Sequence, residues 1–420
     1  MSELFTKTRK TPPSDEESLN AMFLIQGGFV EKLMAGAYTF LPMGLMVLNK
    51  IENIVREEIN AVGGQEMLMP ALNPKENWAK TGRWDSFDAL FRLKSRFGNE
   101  YALGPTHEEI LYPLLKNHIS SYRDLPVYPY QIQTKFRDEP RAKSGLIRGK
   151  EFRMKDFYSF HETEEERNKF YETVKEAYVK IFKKLGLPAI PTSASGGTFS
   201  DASLEFQVIT PAGEDTIFFC KKCGLAINKE LILRRPMSDR TSDIHSQVCK
   251  NCGNELSEER AVEAGNIFPL KDKYAKDFNL TFKDKNGKEK FVSAGCYGLG
   301  TTRAMGTIVE VSHDEKGIIW PEAVAPFSVH LIEIKGDLPA VKEGAEKIYE
   351  SLVAEKIEVL YDERADKSAG EKFADADLIG SPFRVVASEK TLKEASVEIK
   401  RRNSAKTELV KISKLISYVQ

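Results

Sequence analysis

At 420 residues the chain exceeds one ordinary core, and the usual domain size of roughly 100 to 200 residues predicts two or three domains. Hydrophobic residues at 41% and charged residues at 29% exclude a disordered tail, and no apolar run approaches the roughly 18 residues a membrane helix needs. The expectation is a cytoplasmic protein with no membrane partner, and a formal net charge of -1 leaves any nucleic-acid contact to local basic patches.

In chain order, Leu48, Ile51, Val55, Ile59 and Val62 recur at helical spacing, and Gly63-Gly64 supplies the stop. Residues 65–70 then read as a short strand that Pro70 ends. Residues 130–137 and 149–160 read as two strands, expected to pair antiparallel across a polar loop at 138–148. A second helix starts at the capping box Thr163 to Glu166 and carries Phe170, Val174, Tyr178, Ile181 and Leu185 on one face, with Gly186 after it.

Residues 216–262 form a small insert rich in lysine and arginine that carries Cys220, Cys223, Cys249 and Cys252, a C-x2-C-x25-C-x2-C spacing. Each pair lets two thiolates converge on one tetrahedral ion, with Gly224 and Gly253 easing the turn after it, and zinc prefers such soft donors. Free thiols or two disulfides, iron in the same cage, and His245 as a further ligand are the alternatives. With four ligands filled, the ion is structural. Beyond residues 320–326 strands and helices alternate, at 329–334, 338–356, 358–361 and 383–387, which predicts a separate α/β domain. Lys393, Lys400, Arg401, Arg402, Lys406 and Lys411 near its end are a basic patch, or a solvated face.

Three short motifs carry chemistry. Phe136-Arg137-Asp138-Glu139 ends a strand and sets a guanidinium beside a carboxylate with period two; alone it reads as well as a surface ion pair. In Gly298-Leu299-Gly300-Thr301-Thr302-Arg303 the glycines allow close backbone approach and the arginine can point back at phosphates, although a plain glycine turn has the same form. In Gly104-Pro105-Thr106-His107-Glu108-Glu109, Thr106 and Glu108 share a side if the segment is extended and could hold an ammonium. The competing assignment is a capping box from Thr106 to Glu109 before a helix over 109–115.

The first two of these motifs, at 136–139 and 298–303, with the helix and strand before Pro70, resemble motifs 2, 3 and 1 of the class II aminoacyl-tRNA synthetases, in matching order. The stretches at 103–109, 131–139, 152–161, 295–300 and 317–326 narrow the resemblance to the bacterial prolyl-tRNA synthetases. It implies an α+β fold: a catalytic domain at 1–215 and 263–326 with an antiparallel sheet flanked by helices, the cysteine insert at 216–262, and an α/β anticodon-binding domain at 327–420. It implies activation of L-proline by ATP with Mg²⁺ and transfer to tRNA(Pro), chemistry that needs positioning and charge neutralisation rather than a protein nucleophile.

By that resemblance Arg137 bridges the proline carboxylate and the α-phosphate, Glu139 takes the adenine amino group, Phe152 and Arg303 cover the two faces of the base, and Arg303 reaches the γ-phosphate. Glu205 is assigned to ribose or Mg²⁺. Thr106 and Glu108 hold the proline ammonium, and Phe157, His161 and Cys296 line the ring pocket, with Phe157 and Phe160 equally readable as core. Asp362, Arg364 and Lys372 are assigned to the anticodon, and residues 400–402 to phosphates. Structural Zn²⁺ steadies the insert, whose Lys221, Lys222, Lys229, Arg234 and Arg235 are either tRNA contacts or solvated surface.

Many relatives carry a large editing domain between motifs 2 and 3, and the segment here is too short for it. A proline pocket rejects alanine only through lost apolar contact, roughly 1–3 kcal/mol per methylene, so mischarging is expected, leaving clearance to a separate trans-editing protein. The resemblance also implies a homodimer through the helix at 48–62 and the strand before Pro70. A threonine-specific enzyme and a silent tRNA-binding paralogue are the alternatives; the cysteine spacing argues against the first, and intact Arg137, Glu139 and Arg303 against the second.

Overall fold

In the computed structural model, residues 1–14, 16–140, 142, 144–196, 203–233, 248–334 and 339–420 are described. The expected roles of Arg234, Arg235 and His245 fall outside them. Contacts divide the chain into two compact units, Ala35–Ala37 with Glu52–Thr307, and Met1–Met34 with Tyr38–Ile51 and Ile308–Gln420.

Helix α1 (Pro42–Ala61) starts earlier than its apolar spacing suggested, because Pro42 fits a first helical turn, whose N–H groups need no partner. It is followed by β1 (Gln65–Glu66), shorter than the expected strand. Around β1 the larger unit builds a nine-stranded sheet from β2 (Pro129–Phe136), β3 (Glu151–His161), β4 (Ile190–Ala194), β5 (Ser203–Ile209), β6 (Asp215–Phe219), β7 (Ala226–Asn228), β8 (Ser257–Lys271) and β9 (Ser293–Gly300). The order is β5-β4-β7-β6-β8-β9-β3-β2-β1, and β5 also pairs with β8. The expected antiparallel pair is β2 and β3.

Helix α2 (Glu108–Leu115) opens without a side-chain cap, so the Thr106 to Glu109 capping box is not formed. Helix α3 (Glu164–Lys184) opens on the expected box, Thr163 accepting from the Glu166 N–H, and buries Val174, Tyr178, Ile181 and Phe182. Tyr178 and Phe182 lie 5.1 and 5.3 Å from the Phe206 ring, so α3 covers one sheet face. On the other side Tyr158 and Phe160 join Leu111, Tyr112, Tyr274 and Phe278 in a second apolar cluster.

The cysteine segment is part of this sheet rather than a body apart. Its strands β6 and β7 pair with β8 and β4, and the expected boundary at 262 falls inside β8. The pairings β8-β5-β4-β7-β6-β8 close into a five-strand ring.

The second unit holds a five-stranded sheet, β10 (Val329–Glu333), β11 (Val359–Asp362), β12 (Phe383–Ala387), β13 (Ser396–Arg401) and β14 (Thr407–Lys411), in the order β11-β10-β12-β13-β14. The first three strands are parallel. Their connections α5 (Pro339–Ala354) and α6 (Ala369–Ile379) pack on opposite faces, Ile348 and Leu352 against Val329 and Leu331, and Ala376 against Ile332 and Val386. Period two in a doubly covered parallel strand explains the split. Residues 1–34, expected in the catalytic part, group with this unit; Thr8 Oγ1 donates to Asp375 Oδ1 at 2.6 Å.

Candidate active site

Side-chain alternation brings the separated motifs to one sheet face. Gln131, Asp156, Gly298, Asn266 and Glu205 lie opposite one another across five strands, in one row. On β3 the even residues Phe152, Met154, Asp156 and Tyr158 line a cavity of about 320 Å³, a volume suited to a small ligand. Arg137, Arg303, Glu205, Thr106, Glu108 and Cys296 line it too, so most of the expected site residues converge. Gly298 keeps the floor open: a Cβ there would meet Met154 Cε at 2.6 Å.

One end is cationic. Arg137 is half-buried with its Nε buried, and among the described residues its guanidinium has no hydrogen-bond or ion-pair partner, only the Phe152 ring 5.2 Å away. Burial, then the Arg303 charge, pushes its pKa down to about 10, so it remains a cation at neutral pH. Arg303, in helix α4 (Thr301–Val311), is fixed by carbonyls, donating at 2.9 Å to Ile147 O and at 2.9 Å to Glu263 O. Burial pushes Glu205 up to about 8, with Glu263 adding to the effect, while Gln207 and Asn228 donate to it at 2.8 and 2.9 Å. Asn266 donates to Glu263, but its Oδ1 has no partner among the described residues, leaving an acceptor at the wall. Glu139 lines a small side cavity with Phe152 and Arg148, and Arg148 grips its carboxylate through Nη2 at 2.7 Å and Nε at 2.9 Å.

The opposite end is a buried polar cluster. The Thr106 hydroxyl donates to the Glu108 carboxylate, and Cys296 Sγ lies 3.4 Å from Glu108 Oε1. Burial, then Glu108, holds the Cys296 thiol well above its ordinary pKa. Arg83 Nη1 reaches Glu109 at 2.8 Å and Glu108 at 3.7 Å. Lys135 Nζ stands 2.7 Å from Asp156 Oδ1 and 2.5 Å from His107 Nδ1, while His107 Nε2 faces Pro70 O at 3.2 Å. An ammonium can only donate, so Nδ1 accepts and the proton sits on Nε2. Burial and the Lys135 charge push His107 down to about 4, which agrees with this neutral tautomer. Burial opposes ionisation of Asp156, yet Lys135, His107 and the Gln131 amide keep its pKa below the ordinary value.

Phe157 and His161 do not reach the cavity. Both are odd-numbered on β3, so alternation turns them to the reverse face, where the Phe157 ring meets Tyr297 at 5.3 Å and His161 meets Phe170 at 5.5 Å. In the other unit, Asp362 and Lys372 are buried, and Arg364 is bidentate on Asp362 at 2.8 and 2.7 Å. Lys372 donates to Glu333 O and Asp362 O. These charges satisfy one another and are not free for bases. Arg402 is likewise buried, held by Asp314 and the carbonyls of Gly317 and Asp377, so of residues 400–402 only Arg401 is exposed.

Sequence reasoning missed Lys135, Asp156, Tyr158, Asn266, Glu263 and Arg148. Period two counted from Phe152 reaches Asp156 and Tyr158; Asn266 and Glu263 have no local signature.

The cysteine sulfurs all lie within 4.8 Å of one another, with Cys220 to Cys252 at 3.5 Å and Cys223 to Cys249 at 3.4 Å, and all are free thiols. A tetrahedron with zinc–sulfur bonds of about 2.3 Å has edges of about 3.8 Å, so the donor set fits zinc. Gly224 and Gly253, at φ +76° and +70°, donate to the carbonyls of Cys220 and Cys249 and close two equivalent knuckles. Lys221 and Lys222 are exposed, and Lys229 pairs with Glu258 at 2.7 Å.

Residues 91–312 match the family described as tRNA synthetase class II core domain (G, H, P, S and T), and residues 324–420 match the anticodon binding domain. A proline–tRNA ligase from Anaplasma phagocytophilum is 39% identical over 434 positions, covering 100% of this chain and 99% of the relative. One from Sulfurihydrogenibium sp. is 36% identical, with 99% and 98% covered; its alignment runs to 559 positions, so it carries a long stretch this chain lacks. The fold is shared with a prolyl-tRNA synthetase from Cryptosporidium parvum solved with L-proline and AMP, at TM-score 0.77 and 20% identity over 95% of this chain and 76% of that one.

Proposed function

Because the chain belongs to the proline–tRNA ligases, class II aminoacyl-tRNA synthetases, here in a short form with no large editing insertion, we propose that its cavity forms prolyl-adenylate between Arg137 and Arg303. The observation that carries this reading is the Arg137 guanidinium, half-buried in the cavity wall with its Nε buried and no acceptor among the described residues. A charge drawn partly out of water without a partner is costly, and an anionic ligand offsets that cost.

The carboxylate of proline attacks the α-phosphate of ATP, pyrophosphate leaves, and the prolyl group then passes to the terminal adenosine of tRNA(Pro). Arg137, a planar fork, bridges the carboxylate and the α-phosphate, a bidentate task for which lysine is poorly suited. Arg303, fixed by two carbonyls, faces the triphosphate. Phe152 stacks on adenine, Glu139 accepts from its amino group in the side cavity, and Asn266 Oδ1 accepts from the ribose. Glu205 and Glu263 offer hard oxygen donors to Mg²⁺, which supplies charge neutralisation on the phosphates. Proline sits at the other end, its ammonium on Thr106 and Glu108 and its ring against Cys296, Tyr158 and Phe268, with Asp156 held ionised nearby by Lys135.

The four cysteines hold structural Zn²⁺; elemental analysis of the pure protein that finds no metal removes this part. The Ile308–Gln420 portion carries the tRNA contact. Arg364 acts there by holding Asp362, so exposed groups such as Arg401 and Lys406 are the phosphate contacts. A homodimer, a separate trans-editing protein and a cytoplasmic setting complete the reading; no described helix is long and apolar enough to cross a membrane. The central test is proline-dependent exchange of pyrophosphate into ATP by the pure protein. Arg303→Ala is expected to lower it by about 10²-fold or more, as for other preorganised charge-stabilising groups. Exchange that ignores proline, or a fully active variant, refutes the assignment.

A further inference from the structure

The cysteine-bearing hairpin touches the cavity wall at two points. Its first knuckle is the turn between β6 and β7: Cys220 N donates to Leu225 O, and Ile217 lies opposite Asn228. Asn228 ends β7, and its Oδ1 accepts from the Glu230 backbone N–H at 3.0 Å. That bond fixes the amide orientation, so Nδ2 must point the other way, to Glu205 Oε2 at 2.9 Å. Glu230 in turn accepts from the Ser195 hydroxyl at 3.0 Å. Glu205, Ser195 and Gly196 all line the cavity. Within the strand ring β7 lies between β6, with which it pairs at three positions, and β4, which it meets at Ile227 opposite Ser193.

We propose that this hairpin is a positioning element for the nucleotide end of the cavity, Asn228 acting through Glu205 and Glu230 through Ser195, rather than a passive remnant between the catalytic motifs. The proposal rests on the reading that ATP occupies that end. Asn228 and Glu230 touch no substrate. They set where the Glu205 carboxylate and the wall at Ser195 stand when ATP arrives. Glu263 on β8 and Asp215 on β6 are the acidic charges around Glu205, so the carboxyl depends on its amide donors to stay in that neighbourhood. The Gln207 and Asn228 amides together hold it at the wall, and Asn228 is the one of the two that the hairpin supplies.

The experiment measures pyrophosphate exchange and thermal melting for the full chain and four variants. Asn228→Asp keeps the shape but replaces the donor with a second carboxylate; Asn228→Ala removes it. Both are expected to raise the KM for ATP about 5-fold, the scale of one buried hydrogen bond, with the KM for proline within about twofold. Glu230→Ala is expected to raise the KM for ATP as well, and Glu230→Gln, which keeps an acceptor for Ser195, to restore it. A packing role predicts instead that the isosteric Asn228→Asp behaves as wild type. That result, or KM values for ATP and proline rising in proportion, overturns the proposal. If Asn228→Ala does not fold, the Glu230 pair carries the test alone. No proline-dependent exchange in the wild type defeats the functional reading itself, a result separate from either.

Discussion

Arg137 and Arg364 both follow a strand and stand beside acidic residues in sequence, yet the fold uses them in opposite ways. Arg364 is spent internally, bidentate on Asp362 and bonded to Asp375 at 2.8 Å. Arg402 has the same fate with Asp314. Arg137 is left half-buried at the cavity wall, with an aromatic ring beside it and no acceptor among the described residues. A cation that the fold pairs has a structural role, and one that it leaves at a cavity wall without an acceptor is available to a ligand. The two regions therefore predict opposite phenotypes for substitutions that look alike on paper.

Arg137→Ala should lose exchange activity with melting little changed, because no partner among the described residues is stranded by its removal. Asp362→Ala should do the reverse, because it strands Arg364 and Lys372 without their shared carboxylate. About 3 kcal/mol of stability in the C-terminal unit is expected to be lost, while pyrophosphate exchange at 25 °C stays near wild type. Denaturant unfolding and exchange assays on the same sample measure both. A stable Asp362→Ala protein with impaired aminoacylation would break the contrast, returning Asp362 to the tRNA contact assigned by resemblance.

The sequence carried the long-range message better than the local one. The three motifs were legible because each combines a charged group with a backbone feature, and alternation then brought Arg137, Phe152 and Arg303 to one cavity. The capping box at Thr163 formed and the one at Thr106 did not, although both have the right letters. Thr106 is drawn instead to Glu108, a buried carboxylate that needs a donor. The burial and internal pairing of Asp362 and Lys372 could not be read from the sequence, since burial of a strand end and pairing across α6 leave no mark on neighbouring residues. Asn266 and Glu263 were invisible because a single glutamate and a single asparagine around Gly265 in a 15-residue strand form no spacing that points to a particular chemistry.

Between the two extremes lies the group of Lys135, His107 and Asp156, which is paired internally yet borders the cavity. His107 has a folded pKa near 4 against 6.5 for the free side chain, so the unfolded chain binds more protons between those values. Its contribution is fully present above pH 6.5 and is lost as pH falls toward 4. The loss is on the order of 2–3 kcal/mol. His161, also pushed down to about 4, acts in the same sense, so the quantity to measure is the difference between wild type and His107→Gln. A flatter pH dependence is expected in the variant. Equal slopes would mean that His107 is not held neutral and that Lys135 is not its donor.

The smallest effect separates the two faces of one strand. Phe157 and Met154 are three residues apart on β3, but alternation sends Met154 to the cavity and Phe157 under α3 among Tyr130, Phe170 and Tyr297. Phe157→Leu keeps an apolar side chain and removes part of its volume, so a loss of about 1 kcal/mol is expected from imperfect repacking. Because the side chain has no path to the cavity, the KM for proline should stay at the wild-type value. A ring-pocket residue would behave otherwise, since a lost contact with a small apolar ligand changes binding by roughly 10-fold or more. A raised KM for proline with unchanged melting would therefore mean that β3 has slipped by one residue. Such a slip would exchange the faces of all eleven of its side chains, and Asp156 and Tyr158 would leave the cavity with it.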